Sequence, residues 1–382
     1  MNKLKYIVFI LLLFILWRSA LQFVATQVDG AFPYAPTFPY SQTLLPQYSA
    51  QREWYSWANF DGVHYLTIAE KGYAGAALIQ AFFPLFPLSM IAVGQLTHNY
   101  LVSGLLVSHI AAVVSIFLLL AVLRPYAPRP LRFRTLVLLF VFPTSFYLVG
   151  LYTESLFLAL TLGAFYFGYR KQWLWATLCA GLVAATRVVG LAVVIALLVE
   201  YAAQKKWKLQ KSDIPHLLLI SLGSLGLVGY MAYLYFKFDD PLLFLHVQSQ
   251  FGAGRQDSVV LLPQVLWRGV KILLYSDMNL RWWTSLQELL YTLLFFGTLI
   301  YGYLKKMKLP LSWLVFSIIS LMLPTLTGNL SSMPRYALVI FPVFFIWAQQ
   351  KLSWPKWLLI FGIFTVGLVL NTILFLQGYW VA

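Results

Sequence analysis

Lys3-Leu-Lys5-Tyr-Ile-Val-Phe-Ile-Leu-Leu-Leu-Phe-Ile-Leu-Trp-Arg18-Ser19-Ala-Leu-Gln22-Phe-Val-Ala25 opens with two cations and runs apolar for a membrane's width, broken only by Arg18, Ser19 and Gln22. A cleaved signal peptide carries a shorter apolar stretch and a small-residue cleavage site; this run is long and bulky and reads as a retained first transmembrane helix. Segments of the same kind recur along the whole chain, in which 61% of residues are hydrophobic and only 10% charged. That composition reads as a polytopic all-α membrane protein forming a single domain over residues 1–382. The one cysteine, Cys179, sits in an apolar run, which removes an intrachain disulfide and a cysteine-based metal site from consideration.

Charges set the topology. With Lys3 and Lys5 cytoplasmic, the first helix (about 7–26) leads outward into a polar, proline-rich and aromatic loop, 27–81. The segment 82–96 is short and holds Pro84 and Pro87, and reads as a re-entrant or interfacial helix that does not cross. Crossings then fall near 101–123, 135–151, 153–170, 173–186, 188–203, 215–236, 284–303, 311–328, 336–350 and 355–377. This makes about eleven transmembrane helices, a second large extracytoplasmic loop at 237–283 and an outer C-terminus. In that arrangement 17 of the 27 basic residues lie in cytoplasmic loops, against only Glu200 and Asp213. The net charge of +15 is therefore the signature of orientation and of anionic lipid headgroups, with no need of a nucleic-acid partner. Were 82–96 to cross, the arginines of 124–134 would fall outside.

Against this apolar background one polar stretch stands out, Trp57-Ala-Asn-Phe-Asp61-Gly-Val-His64-Tyr-Leu-Thr-Ile68-Ala-Glu-Lys-Gly-Tyr73. Helical spacing puts Asp61 and His64 on one face with Ile68 beneath them. This is either a site at the membrane boundary or an interfacial helix whose polar face meets water. On the same side fall Tyr152-Thr-Glu154 between two helices, Thr186-Arg187 interrupting an apolar run, Asp239-Asp240, and Pro334-Arg335-Tyr336. Singly, each has a plain alternative: Glu154 a helix-end residue in water, Arg187 a snorkelling or structurally paired cation, Arg335 a helix-end anchor, and the aspartate pair a turn cap before Pro241. Jointly, acids at 61 and 154 with guanidiniums at 187 and 335 suit a substrate with a hydroxyl to deprotonate and a phosphate to hold. The chain carries no phosphate-loop, dinucleotide or zinc-protease motif and no evident internal repeat. Asn329-Leu-Ser331 fits the glycosylation pattern, which is too short to carry weight.

At these residues the chain resembles the PIG-V type mannosyltransferases. Asn59-Phe-Asp61-Gly-Val-His64-Tyr followed by Ile68-Ala-Glu-Lys-Gly72-Tyr73 is similar to that family's signature, and Phe82-Phe-Pro-Leu-Phe-Pro87 to the segment after it. Phe142-Pro-Thr-Ser-Phe146, Tyr152-Thr-Glu154-Ser-Leu-Phe157, Ala185-Thr-Arg187-Val-Val-Gly190 and Pro334-Arg335-Tyr336 through Pro342 follow in the family's order. The resemblance covers roughly 55–345; Phe60 departs from it, since the family often has tryptophan before the aspartate.

The resemblance implies a GT-C glycosyltransferase fold and an inverting transfer, mannose foremost, from a polyprenyl-phosphate donor to a lipid-linked or surface glycan acceptor. It implies a multi-pass enzyme of a bacterial plasma membrane, or of the endoplasmic reticulum in a eukaryote, with an extracytoplasmic active site. In this reading Asp61 is the catalytic base, His64 contacts donor phosphate or orients the carboxylate, and Arg187 and Arg335, the latter followed by Tyr336, hold the leaving phosphate. Glu154 positions a sugar hydroxyl. No cofactor is required, and an Asp-His pair leaves a divalent metal open. The alternative is a transporter or flippase of a lipid-linked sugar, which would use the arginines without needing Asp61 as a base.

Overall fold

The computed structural model describes residues 3–28, 33–35, 40–251, 256 and 258–381 of the chain. Among them the secondary structure is entirely helical. The longer helices are α1 (Lys3–Gln27), α2 (Asp61–Lys71), α3 (Leu85–Thr97), α4 (Tyr100–Val122), α5 (Arg129–Val141), α6 (Glu154–Tyr169), α7 (Trp173–Ala184) and α8 (Leu191–Gln204). They continue with α9 (Ile214–Ser221), α10 (Leu225–Phe238), α11 (Leu262–Tyr275), α12 (Leu280–Leu304), α13 (Leu311–Thr325), α14 (Met333–Leu338), α15 (Phe341–Ala348) and α16 (Trp354–Leu376). Among the described residues four spans are long and apolar enough to cross a membrane: Leu4–Gln27, Tyr100–Val122, Lys211–Phe238 (which runs through α9 and α10) and Trp354–Leu376.

Local chemistry explains where helices begin. Asn99 caps α4 by accepting from the Val102 N–H at 3.1 Å, and Asn279 caps α12 in the same way through Trp282. Proline occupies the first turn of α5, α11, α14, α15 and α16, where its missing N–H costs nothing. Helix α3 has 13 residues, or about 20 Å, short of a hydrocarbon core of about 30 Å.

Two of the expected crossings are not continuous helices. The segment 135–151 leaves the helix at Val141, because Phe142 turns extended before Pro143, and resumes as a 3-10 turn over Ser145–Leu148. The segment 336–350 divides into α14 and α15: Ile340 leaves the helical conformation as the cap of α15, whose first turn holds Pro342.

The core is a bundle in which α4, α6 and α7 pack side by side, α8 lies along α13, and α1 lies along α16. Helix α2 does not float on a surface: Gly62 through Ala69 are all buried, and the helix ends at Gly72, whose φ of +68° suits glycine. The polar break in α1 belongs to this arrangement. Arg18 donates from Nε to His109 Nε2 at 2.8 Å and covers the Trp57 ring at 4.5 Å. Gln22 accepts from the Trp57 indole N–H at 3.0 Å. Two of the three polar residues of the first helix, Arg18 and Gln22, thus hold the segment that leads into α2.

Candidate functional site

Asp61 is the first residue of α2 and Arg335 lies one turn into α14, 274 positions apart in sequence. The Arg335 guanidinium donates from Nη1 to Asp61 Oδ2 at 2.5 Å. Its Nε lies 3.3 Å from Glu154 Oε1, and the same Glu154 oxygen accepts from Arg187 Nη2. Arg187 also donates from Nε to Thr153 Oγ1 at 2.7 Å. Two guanidiniums and two carboxylates thus form one chain, Asp61–Arg335–Glu154–Arg187. Glu154, fully buried at the N-terminus of α6, is its hub, and the helix dipole favours an acid there. Its second oxygen, Oε2, is buried without a hydrogen-bond partner among the described residues.

Rings enclose the cations. The Arg335 guanidinium carbon lies 5.4–5.7 Å from the ring centres of Tyr147, Tyr152 and Tyr336, and that of Arg187 lies 5.5 Å from Tyr336. These distances are within cation–π range.

A cavity of about 1370 Å³ opens onto this cluster. Asp61, Arg187, Arg335 and Tyr336 line it, together with Tyr65 and Phe82, and further along Arg268, Arg281 and Glu288. Glu154 and His64 stand behind the wall. His64 is buried, stacks on Phe82 with ring centres 4.8 Å apart, and shares a 2.7 Å hydrogen bond between Nδ1 and the Tyr40 hydroxyl. The Asp239-Asp240 pair is not in the cluster; Asp240 accepts from the Leu242 N–H and pairs with His246, as a turn-capping residue does.

Electrostatics divides the acid and base of α2. Burial pushes the Asp61 carboxyl upward, but the charge and hydrogen bond of Arg335, with help from Arg187, outweigh it and hold the carboxyl below the ordinary carboxylate range. Burial pushes the His64 imidazole down to about 4, against the opposing pull of Asp61, so the ring is neutral at pH 7. Among the described residues no group of three or more His, Cys, Asp or Glu side chains converges to hold a metal ion.

Several of the contacts that hold the site carried no signal in the sequence. Tyr152 donates to the Asn59 carbonyl at 2.7 Å, and Leu151 N–H to the Trp57 carbonyl at 2.9 Å, tying the residues before α2 to the turn before α6. Asn59 Nδ2 donates to the carbonyls of Phe375 and Leu376 at the end of α16, more than 300 residues away. Phe60 caps α2 with φ +59° and ψ −118°, and its ring packs against Phe375 and Trp380. A positive φ on a bulky residue directly before the cavity-lining acid is the kind of local strain that surrounding structure must hold in place.

Searches of family models, curated proteins and solved structures returned no match to this chain.

Proposed function

We propose that this chain is a membrane glycosyltransferase of the GT-C kind, moving a sugar, mannose foremost, from a polyprenyl-phosphate donor to a lipid-linked or surface glycan acceptor. The observation that carries the proposal is the Asp61–Arg335 pair at the wall of a large cavity, backed by the Arg187–Glu154 pair. A base and two phosphate-binding guanidiniums side by side are what transfer from a phosphate leaving group needs. A donor that arrives through the bilayer also accounts for such a site in a chain without a nucleotide-binding motif. The proposal includes about eleven membrane crossings, with α2 and the cavity on the extracytoplasmic side.

In the proposed reaction the donor's phosphate diester competes with Asp61 for Arg335. Once Arg335 turns to the phosphate, the burial that favours a protonated Asp61 is no longer offset, and the carboxylate becomes a stronger base. The acceptor oxygen attacks the anomeric carbon as its proton passes to Asp61. The bond from that carbon to the phosphate oxygen breaks on the opposite face, with inversion, and the electron pair leaves on the polyprenyl phosphate. Arg187 and Arg335 meet the charge that develops there. Glu154 acts as a positioning residue, holding the two guanidiniums at fixed separation. Neutral His64 acts through Phe82, keeping that ring against the cavity.

Incubating purified protein with radiolabelled polyprenyl-phosphate mannose and a lipid extract of its host tests the reading. Label appearing on a new acceptor supports it. Label that only crosses a sealed bilayer, chemically unchanged, replaces the enzyme with a transporter.

A further inference from the structure

Helix α11 separates the cavity from the outside of the molecule, and its three stripes have three different fates. Val265, Arg268, Gly269 and Ile272 line the cavity at helical spacing. Leu266, Val270 and Leu273 pack on the core. The stripe opposite the cavity holds Trp267, Lys271 and Leu274, and its apolar members are left open, Trp267 55% and Leu274 64% exposed; Tyr275, 83% exposed, ends the helix beside that stripe. Leu261 before the helix and Met278 after it extend that surface.

We propose that α11 lies in the outer membrane interface, its open stripe covered by bilayer lipid, and that it forms the side wall along which the isoprenoid tail of the donor passes from bilayer to cavity. The second clause rests on the proposed function; the first does not depend on turnover.

The composition of the stripe identifies its occupant. Tryptophan and tyrosine with a flanking lysine are the chemistry of the headgroup level, where an aromatic body is buried and a polar edge meets water. Lys271 Nζ lies 5.7 Å from the Trp267 ring centre, so the cation stays beside the aromatic, in position for a lipid phosphate. The chain also runs on from this stripe into a second exposed apolar side. Only Ser276–Asn279 separate α11 from α12, whose own exposed side includes Leu290, Leu293, Leu294 and Ile300. An α-helix is about 10 Å across, so a donor whose phosphate sits in the cavity has the bilayer one helix away.

The test uses full-length protein carrying Cys179→Ala, with a nitroxide on a single cysteine at Trp267→Cys or Leu274→Cys, in vesicles of zwitterionic and anionic phospholipid. Relaxation by oxygen should exceed relaxation by a water-soluble nickel chelate at both positions, while Trp207→Cys in the basic loop after α8 gives the reverse. Nickel-dominated relaxation at 267 and 274 would overturn the interfacial placement. For the tail, Ile272→Asp, on the cavity side of α11, should weaken binding of long-chain polyprenyl phosphate by about tenfold or more, as expected when apolar burial is lost, while binding of a two-isoprene phosphate holds. Equal loss for both chain lengths, or loss for neither, would overturn the tail's path. Both measurements read binding or accessibility, so a protein that fails to transfer sugar still decides them.

Discussion

At the residue scale the site is a neutral tetrad in which each charge already has a partner. Substituting one member therefore does two things, removing a group and releasing its neighbour. Asp61→Asn removes the proposed base and frees Arg335. Turnover should fall by about two to four powers of ten, while polyprenyl-phosphate binding holds or tightens because the phosphate no longer competes with a carboxylate. Normal turnover in folded Asp61→Asn protein rules out the base. Glu154→Gln leaves the buried Arg335 and the partly buried Arg187 guanidiniums without their shared acid, and breaking a buried pair typically costs about 3–5 kcal/mol. A lowered melting temperature should be its first symptom, with the change in donor affinity following from displaced arginines. If Glu154→Gln keeps wild-type stability and loses only sugar discrimination, Glu154 contacts the sugar directly. His64 makes a separate statement through pH. Its folded value of about 4 lies below the unfolded 6.5, so the unfolded chain binds the extra proton between those values. Stability contributed above pH 6.5 is thus lost as pH falls toward 4, by about 2 kcal/mol at pH 5. Asp61, with a depressed carboxyl, loses its contribution only at more acid pH. Melting curves of wild type and His64→Gln at pH 7 and pH 5 should converge as pH falls; parallel curves would assign the acid sensitivity elsewhere.

At the scale of elements, α2 is held by parts of the chain that its own sequence does not mention. The turn before α6 fixes the backbone of Trp57 and Asn59, α1 fixes the Trp57 indole, and the end of α16 accepts both hydrogens of the Asn59 amide. Asn59→Ala strands the Leu376 carbonyl and the Tyr34 hydroxyl, at about 1–3 kcal/mol for each group that water cannot reach, while the Phe375 carbonyl keeps its bond from the Gly378 N–H. It should slow turnover more than it weakens donor binding, since it loosens Asp61 while leaving both arginines in place; a loss confined to affinity would contradict that. This element also marks how far the sequence could be read. Apolar runs disclosed most helices to within a few residues, because periodicity and length are local properties. The charged residues of the tetrad were visible because an acid or guanidinium in so apolar a chain is conspicuous. Their pairing was not, since Asp61 and Arg335 are 274 positions apart and nothing local to either names the other. The same holds for Arg18 and His109, and for the aromatic residues around Phe60, two of which lie beyond the segment that carries the family resemblance. The breaks at Phe142-Pro143 and Ile340 had a local signal in their prolines, but an apolar run through them reads as continuous when only hydropathy is followed.

At the scale of the whole molecule, the asymmetry of charge and the position of the cavity make one joint claim. In the proposed orientation the basic loops at 124–134, 205–211 and 305–308 lie on one face, and the lining of the cavity, from Asp61 to Arg281, lies toward the other. The two halves are testable together because several positions on each are exposed without taking part in the tetrad. Gly62, though nearest the site, is unsuited to labelling, since a Cβ there would meet Ala58 at 3.0 Å. Gln51 and Ser276 are exposed on the proposed outer side, and Trp207, with its neighbours Lys206 and Lys208, on the proposed inner side. In a Cys179→Ala background, Gln51→Cys and Ser276→Cys should react with an impermeant maleimide on intact cells, and Trp207→Cys only after the membrane is opened. Protection at 51 and 276 with labelling at 207 would turn the molecule over and put the site on the cytoplasmic face, where a different donor would have to be sought. Labelling at 51 but not at 276 would instead mean an odd number of crossings between those loops. In that case α3 would be the first helix to reconsider, because its 13 residues decide on which side every later loop emerges.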